Sequence, residues 1–262
     1  MPSWKKEPPI LVNSRNSHKI MNKADAWFIS LRLRTLPLAL ASTGMGSFLA
    51  AAFGVFDVQT CLLSSLTAIG MQILSNLAND YGDFRHEADT EERIGPQRGL
   101  QSGVISLPAM RNAIIFMALL TFISGCALLF QATEGMHDYT FIVFLVIGIA
   151  CIFAAIKYTI GLNPYGYSGF GDLAVFVFFG IVGVGGTFYL HAYEFYPDVL
   201  LPACTLGFLS TGVLNINNMR DVDSDTVVGK YTMVVKMGIT RAKIYHLFLI
   251  ISAFICLIVF NL

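Results

Sequence analysis

Long apolar runs separated by short polar stretches make up most of this chain. Seven of them, at about 27–53, 58–79, 107–131, 139–159, 171–191, 198–218 and 241–261, approach or exceed the roughly 20 residues a helix needs to cross a bilayer. A segment in lipid must satisfy its own backbone polar groups, so it is either a helix or part of a closed barrel. The runs lack the ten-residue alternation of a barrel strand. The pattern therefore predicts an all-α, polytopic transmembrane helical bundle over 27–262, preceded by a polar segment, 1–26. That segment has no secretory apolar core. Met21 could itself be a start, which would make 1–20 an extension. The chain stops at Leu262 just as the seventh run ends, as a truncated chain would.

The polar positions suggest an orientation. Seven basic residues lie in 1–34, and Arg85, Arg93, Arg98 and Arg111 lie between the second and third runs. Lys157 ends the fourth run, and Arg220, Lys230, Lys236, Arg241 and Lys243 flank the connection from the sixth to the seventh. Together these are all 17 basic residues, while the alternate connections hold only Asp57, Glu134, Asp138, Glu194 and Asp198. Basic residues gather on the cytoplasmic side. The N-terminus and the 2–3, 4–5 and 6–7 connections are therefore expected in the cytoplasm, with the chain in the inner membrane. Composition agrees: 55% of residues are hydrophobic, 13% are charged and the formal net charge is zero. This excludes a disordered chain, an ordinary soluble domain and a basic nucleic-acid binder. No protein partner is legible. The five cysteines fall inside the runs without a CxxC pair and read as small apolar core residues. The histidines show no metal-ligand spacing.

Two basic connections also carry acids. Residues four apart share a helix face. Gln72, Asn76, Asn79, Asp80 and Asp83 thus predict a polar stripe on the end of the second run, and Asn217, Asp221 and Asp225 another on the end of the sixth. Asp223 points away from that stripe. Asn79/Asp83/Glu87 and Asn217/Asp221/Asp225 share the spacing Asn-x3-Asp-x3-acid, a weak internal repeat. A charge at the bilayer centre costs about 3 kcal/mol, and two converging stripes would crowd negative charge. A hard divalent cation such as Mg²⁺ relieves that, taking oxygen ligands and substrate phosphate. Arg93, Arg98 and Lys230 suit a diphosphate. The expected substrate has an anionic head and an apolar tail. The plain alternative is that these charges only solvate the helix ends.

Asn79-Asp80-Tyr-Gly-Asp83 and Arg220-Asp221-x3-Asp225-x3-Gly229-Lys230 resemble the two aspartate-rich motifs of the UbiA-type intramembrane aromatic prenyltransferases. Asp89 with Arg93-Ile-Gly-Pro-Gln-Arg98-Gly99 looks like the branch acting on 1,4-dihydroxy-2-naphthoate. So do Arg34-Thr-Leu-Pro37, Lys157-Tyr158-Thr, Tyr165-Gly-Tyr-Ser-Gly-Phe-Gly-Asp172 and Val175-Phe-Val-Phe-Phe-Gly180. The resemblance covers about 27–240 and implies nine helices around a central cavity open to the membrane. Seven are visible here, so the last two are expected to be missing. It also implies Mg²⁺ held over a prenyl diphosphate by Asn79, Asp83, Asp221 and Asp225, helped by Asp80, Asp89 and Asn217. Position 87 is Glu where many members have Asp, and Asp89 is expected to take that duty. Asn217 stands where other branches often have Asp.

The implied reaction transfers a polyprenyl group to 1,4-dihydroxy-2-naphthoate with loss of CO₂ and diphosphate, giving a demethylmenaquinol. Metal and cations would stabilise the leaving diphosphate. Tyr158 and Tyr81 could shield a prenyl cation with their ring faces or serve only as interfacial tyrosines. Arg34 is a further candidate for the diphosphate, and Lys157 a weaker one. Asp172 could contact the acceptor or cap its helix. Other acceptors, such as 4-hydroxybenzoate or homogentisate, stay open. So does a secondary transporter, although one would break its spans near the midplane.

Overall fold

The computed structural model describes residues 22–86, 98–133 and 138–262. Among them every regular element is helical, and seven helical stretches are long and apolar enough to cross a membrane. They fall on the seven apolar runs.

The first run is two helices, α1 (Lys23–Leu31) and α2 (Leu36–Ala52), joined by a 3-10 turn. Pro37 lies in the first turn of α2. It has no N–H to give to the carbonyl four residues back, so one helix cannot run through this point. Arg32 makes the break with a left-handed backbone, φ 49° and ψ 51°. Such a conformation costs a non-glycine residue about 1 kcal/mol or more. It is held in place by Arg32's own side chain and by Asn76, which donates to Leu31 O (2.9 Å) and Thr35 Oγ1 (3.0 Å).

Helix α3 (Val58–Arg85) starts where Asp57 caps the N–H of Thr60 at 2.6 Å. That hydrogen bond is the largest of the influences that lower the Asp57 pKa from its ordinary value. The helix outruns its apolar stretch and stays helical through Asn79, Asp80 and Asp83. Next come α4 (Leu107–Ala132) and α5 (Asp138–Lys157). The fifth span is a composite of α6 (Gly171–Val175), a π-helical segment (Phe176–Gly186) and α7 (Thr187–Ala192). The sixth span is a 3-10 turn (Pro197–Val199) continued by α8 (Leu200–Arg220), and α9 (Val222–Val227) and α10 (Met233–Met237) follow it before α11 (Ile239–Phe260).

Helix α3 packs on α4, α2 and α5, and α8 packs on α11 and the π segment. Helix α2 joins the two groups by touching both α3 and the π segment. Phe116, Ile123, Phe130, Phe153, Phe254 and Ile258 stand more than half exposed. Bare apolar surface on this scale is what lipid covers.

The π segment meets α8 through glycine. A Cβ on Gly180 would stand 2.6 Å from Ala203 O and 2.9 Å from the Gly207 Cα. Small residues let membrane helices approach this closely. Gly180→Ala is expected to cost about 1–3 kcal/mol of overpacking, read as a lower thermal midpoint in detergent. Gly185→Ala, where a Cβ meets nothing within 4 Å, should leave the midpoint unchanged.

Candidate active site

The helices enclose a cavity of about 1020 Å³, lined from α1 through α8 but by no residue of α11. Its walls are apolar over much of their length, with Phe122, Phe144, Phe178 and Val182 among them. Asn79, Asp83, Arg98, Asn217, Asp221 and Lys230 line it where α3 and α8 end.

The first motif divides between two faces of α3. Asn76, Asn79 and Asp83 line the cavity and Asp80 does not. One residue on a helix is about 100° of rotation, so Asp80 turns away from Asn79. It is fully buried, with Oδ1 2.5 Å from Arg32 and 3.4 Å from Nε of Arg98. Its expected place in the stripe is therefore corrected. Asp83 accepts from Arg98 at Oδ2 (2.5 Å) and from the Tyr167 hydroxyl at Oδ1 (2.6 Å). Asn79 Oδ1 accepts from Thr159 Oγ1 at 3.2 Å.

The second motif also departs from one continuous stripe. Helix α8 ends at Arg220, and Asp221 is the joint from which the chain turns into α9. Asn217 and Asp221 line the cavity. Arg220 grips both oxygens of Asp221, at 2.7 and 2.6 Å. Asp225, carried off on α9, is buried and absent from the lining, with Lys230 Nζ at 3.5 Å. Burial raises the Asp225 pKa; Lys230 opposes that, and the nearby Asp221 and Asp83 add to it. Asp223 is exposed, as its register predicts.

The acids therefore do not crowd one another unpaired, as the two stripes suggested. Each has a cation: Arg32 and Arg98 on Asp80, Arg98 on Asp83, Arg220 on Asp221, Lys230 on Asp225. Among the described residues no three of His, Cys, Asp or Glu converge as a ready-made metal cluster. The donors that are present are all oxygens, and Asp225 Oδ2 is buried without a hydrogen-bond partner. That set fits a hard cation of the Mg²⁺ kind, which commonly takes one or two carboxylates and completes its shell with water and substrate phosphate.

Arg34 is exposed and lines the cavity. Tyr158 lines it too, edge-on to Tyr165 at 5.3 Å. Burial and the neighbouring acids raise the Tyr158 pKa, and burial pushes Tyr165 up to about 12. Tyr81 packs into the apolar core beside Leu74 and Leu77 and does not line the cavity. Asp172 is buried at the start of α6 and is not in the lining. Glu87, Asp89 and Arg93 lie outside the described residues.

Three side chains at this end escaped the sequence reading. In the sequence Arg32 counts only as a topology-setting cation, and Arg220 as another and as the first residue of the second motif, with no partner assigned to either. Tyr167 sits in a glycine-rich turn that shows no periodicity. Burial and its bond to Asp83 raise its pKa far above the usual phenol range, so it stays a donor.

The chain is thus a helical membrane protein whose cavity ends in acids paired with arginines and a lysine. The UbiA prenyltransferase family matches residues 39–262, and the chain belongs to that family. It is 47% identical over 242 residues to 1,4-dihydroxy-2-naphthoate octaprenyltransferase of Escherichia coli (strain K12), covering 92% of this chain and 78% of that one. It is 44% identical over 248 residues to the enzyme of that name from Haemophilus influenzae, covering 94% and 80%. A solved structure concerned with digeranylgeranylglyceryl phosphate synthase in membranes superimposes with a TM-score of 0.53 at 18% identity, covering 90% of this chain and 76% of that one. That likeness shows the shared fold.

Proposed function

We propose that this chain transfers a polyprenyl group from polyprenyl diphosphate to 1,4-dihydroxy-2-naphthoate, releasing diphosphate and CO₂ and forming a demethylmenaquinol. The observation that carries the reading is the meeting of residues from both acidic motifs and their cations at one end of a largely apolar cavity. The names borne by relatives at 47% and 44% identity support the choice of acceptor.

The apolar wall takes the prenyl tail, and the polar end takes the diphosphate. Arg34, Arg98 and Lys230 offer charge-assisted hydrogen bonds to its oxygens, with Arg220 beside them. Asn79, Asp83, Asn217, Asp221 and Asp225 would hold Mg²⁺, with Asp89 as a further ligand and Arg93 as a further cation. The metal, when bound, supplies Lewis-acid stabilisation of the leaving diphosphate. As the allylic C–O bond breaks, the fixed cations of the polar end meet the growing negative charge. Tyr158 presents its ring to the developing allylic cation. The apolar lining keeps out water, which would otherwise trap that cation. The ring carbon bearing the carboxylate forms the new C–C bond. CO₂ then departs, leaving its bonding pair in the ring. Asp80 serves by positioning Arg32 and Arg98. The basic residues of the connections at this end support a site on the cytoplasmic face of the inner membrane.

The test is a membrane assay with 1,4-dihydroxy-2-naphthoate, a polyprenyl diphosphate and Mg²⁺, read by mass spectrometry. The expected result is prenylated, decarboxylated product that disappears with EDTA. Product from 4-hydroxybenzoate, with none from the naphthoate, would overturn the acceptor. Undiminished product in EDTA would overturn the metal.

A further inference from the structure

We propose that Tyr167 is a positioning residue that couples the two acidic motifs, its hydroxyl fixing Asp83 and its ring seating Lys230. It comes from a third element, the 3-10 turn Tyr165–Ser168 between α5 and α6. Its hydroxyl donates to Asp83 Oδ1 at 2.6 Å. Its ring centroid lies 5.3 Å from Lys230 Nζ, within cation–π range. The turn is itself tied to the second motif, because Tyr231 N–H donates to Tyr167 O at 2.9 Å. His86, just past the end of α3, lies against the ring at 5.1 Å.

The consequences follow from what each partner must do. With Arg98 on Oδ2 and Tyr167 on Oδ1, the Asp83 carboxylate is held at both oxygens and cannot rotate. Its remaining lone pairs therefore keep one direction. Lys230, paired with Asp225 at 3.5 Å, is held over the same ring. A single side chain thus sets the position of an acid on α3 relative to a cation that follows α9. A diphosphate spanning the two motifs needs that spacing fixed, because a small misplacement of reacting groups costs rate steeply. Tyr167 is not in the cavity lining, so it acts through Asp83 and Lys230 and touches no substrate.

This inference rests on the prenyl-diphosphate reading above, and its test separates the two. Wild type, Tyr167→Phe and Tyr167→Leu are purified in detergent with lipid. For each, kcat, both KM values and the affinity for a prenyl thiolo-diphosphate analogue are measured. Tyr167→Phe keeps the ring and removes one hydrogen bond to a charged group. It should lower kcat by about tenfold and weaken the analogue, with KM for the aromatic acid and the thermal midpoint little changed. Tyr167→Leu, which also loses the cation–π contact, should lose more. A residue that only packs would leave Tyr167→Phe like wild type and impair Tyr167→Leu alone. Values for Tyr167→Phe within twofold of wild type in kcat, diphosphate KM and analogue affinity overturn the inference by itself. A wild type that neither binds the analogue nor prenylates any aromatic acid overturns the diphosphate reading and this inference with it.

Discussion

Asp221→Asn is expected to lower prenyl transfer by about a hundredfold or more while the protein still folds. The catalytic loss follows from removing a charge aimed at the site where charge develops, worth about 10²–10³ per group in preorganised sites. The folding cost is small because the Asp221 pair is not deeply buried. Its side chain is 16% exposed and that of Arg220 39%, and exposed pairs are worth about 0–1 kcal/mol. Asp83→Asn should lose turnover as severely and lose more stability, since Asp83 and Arg98 are 7% and 8% exposed. The comparison calls for turnover per folded protein, with the thermal midpoint measured on the same samples. Wild-type turnover in both variants would remove the acids from the chemistry.

The contrast between the two aspartates marks where sequence reasoning stops. Run length and charge asymmetry were enough to place seven spans, because bilayer thickness and the cost of unpaired backbone act on local composition. Spacing was enough to place Asn79 and Asp83 together, and Asn217 and Asp221 together, because helical periodicity is also local. What could not be read depends on contacts far apart in the chain. The left-handed backbone at Arg32 is held by Asp80, 48 residues away. Asp80 looked like a stripe member because a neighbour in sequence is easily mistaken for a neighbour on a face. Asp225 left its stripe because α8 ends at Arg220 and a new helix begins. Tyr167 reaches Asp83 across 84 residues, and nothing in its own turn announces a partner. The π segment is equally silent, since its composition suits an ordinary apolar helix.

The pairing of acids with cations raises the question of which pairs hold the bundle and which only serve the substrate. Burial answers it. Asp80 is fully buried and Arg98 nearly so, whereas Arg34 is exposed. Arg34→Ala should therefore act on diphosphate KM with little effect on stability. Arg98→Met is expected to destabilise by about 3–5 kcal/mol, the cost of breaking a buried pair. It leaves Asp80 with Arg32 alone and takes one of two donors from Asp83. Against a total stability of about 5–15 kcal/mol, that loss should show as a sharply reduced folded yield and thermal midpoint. The double variant Arg98→Met/Asp83→Asn separates the causes. Without Arg98, Asp83 keeps only the Tyr167 hydroxyl, so neutralising it removes a stranded charge and the double variant should regain stability over Arg98→Met, a non-additivity reserved for groups in contact. Turnover should not return with it, because Arg98 and Asp83 are then both lost to the site. An Arg98→Met protein as stable as wild type would show that Arg98 adds nothing to the fold beyond what Arg32 already supplies to Asp80.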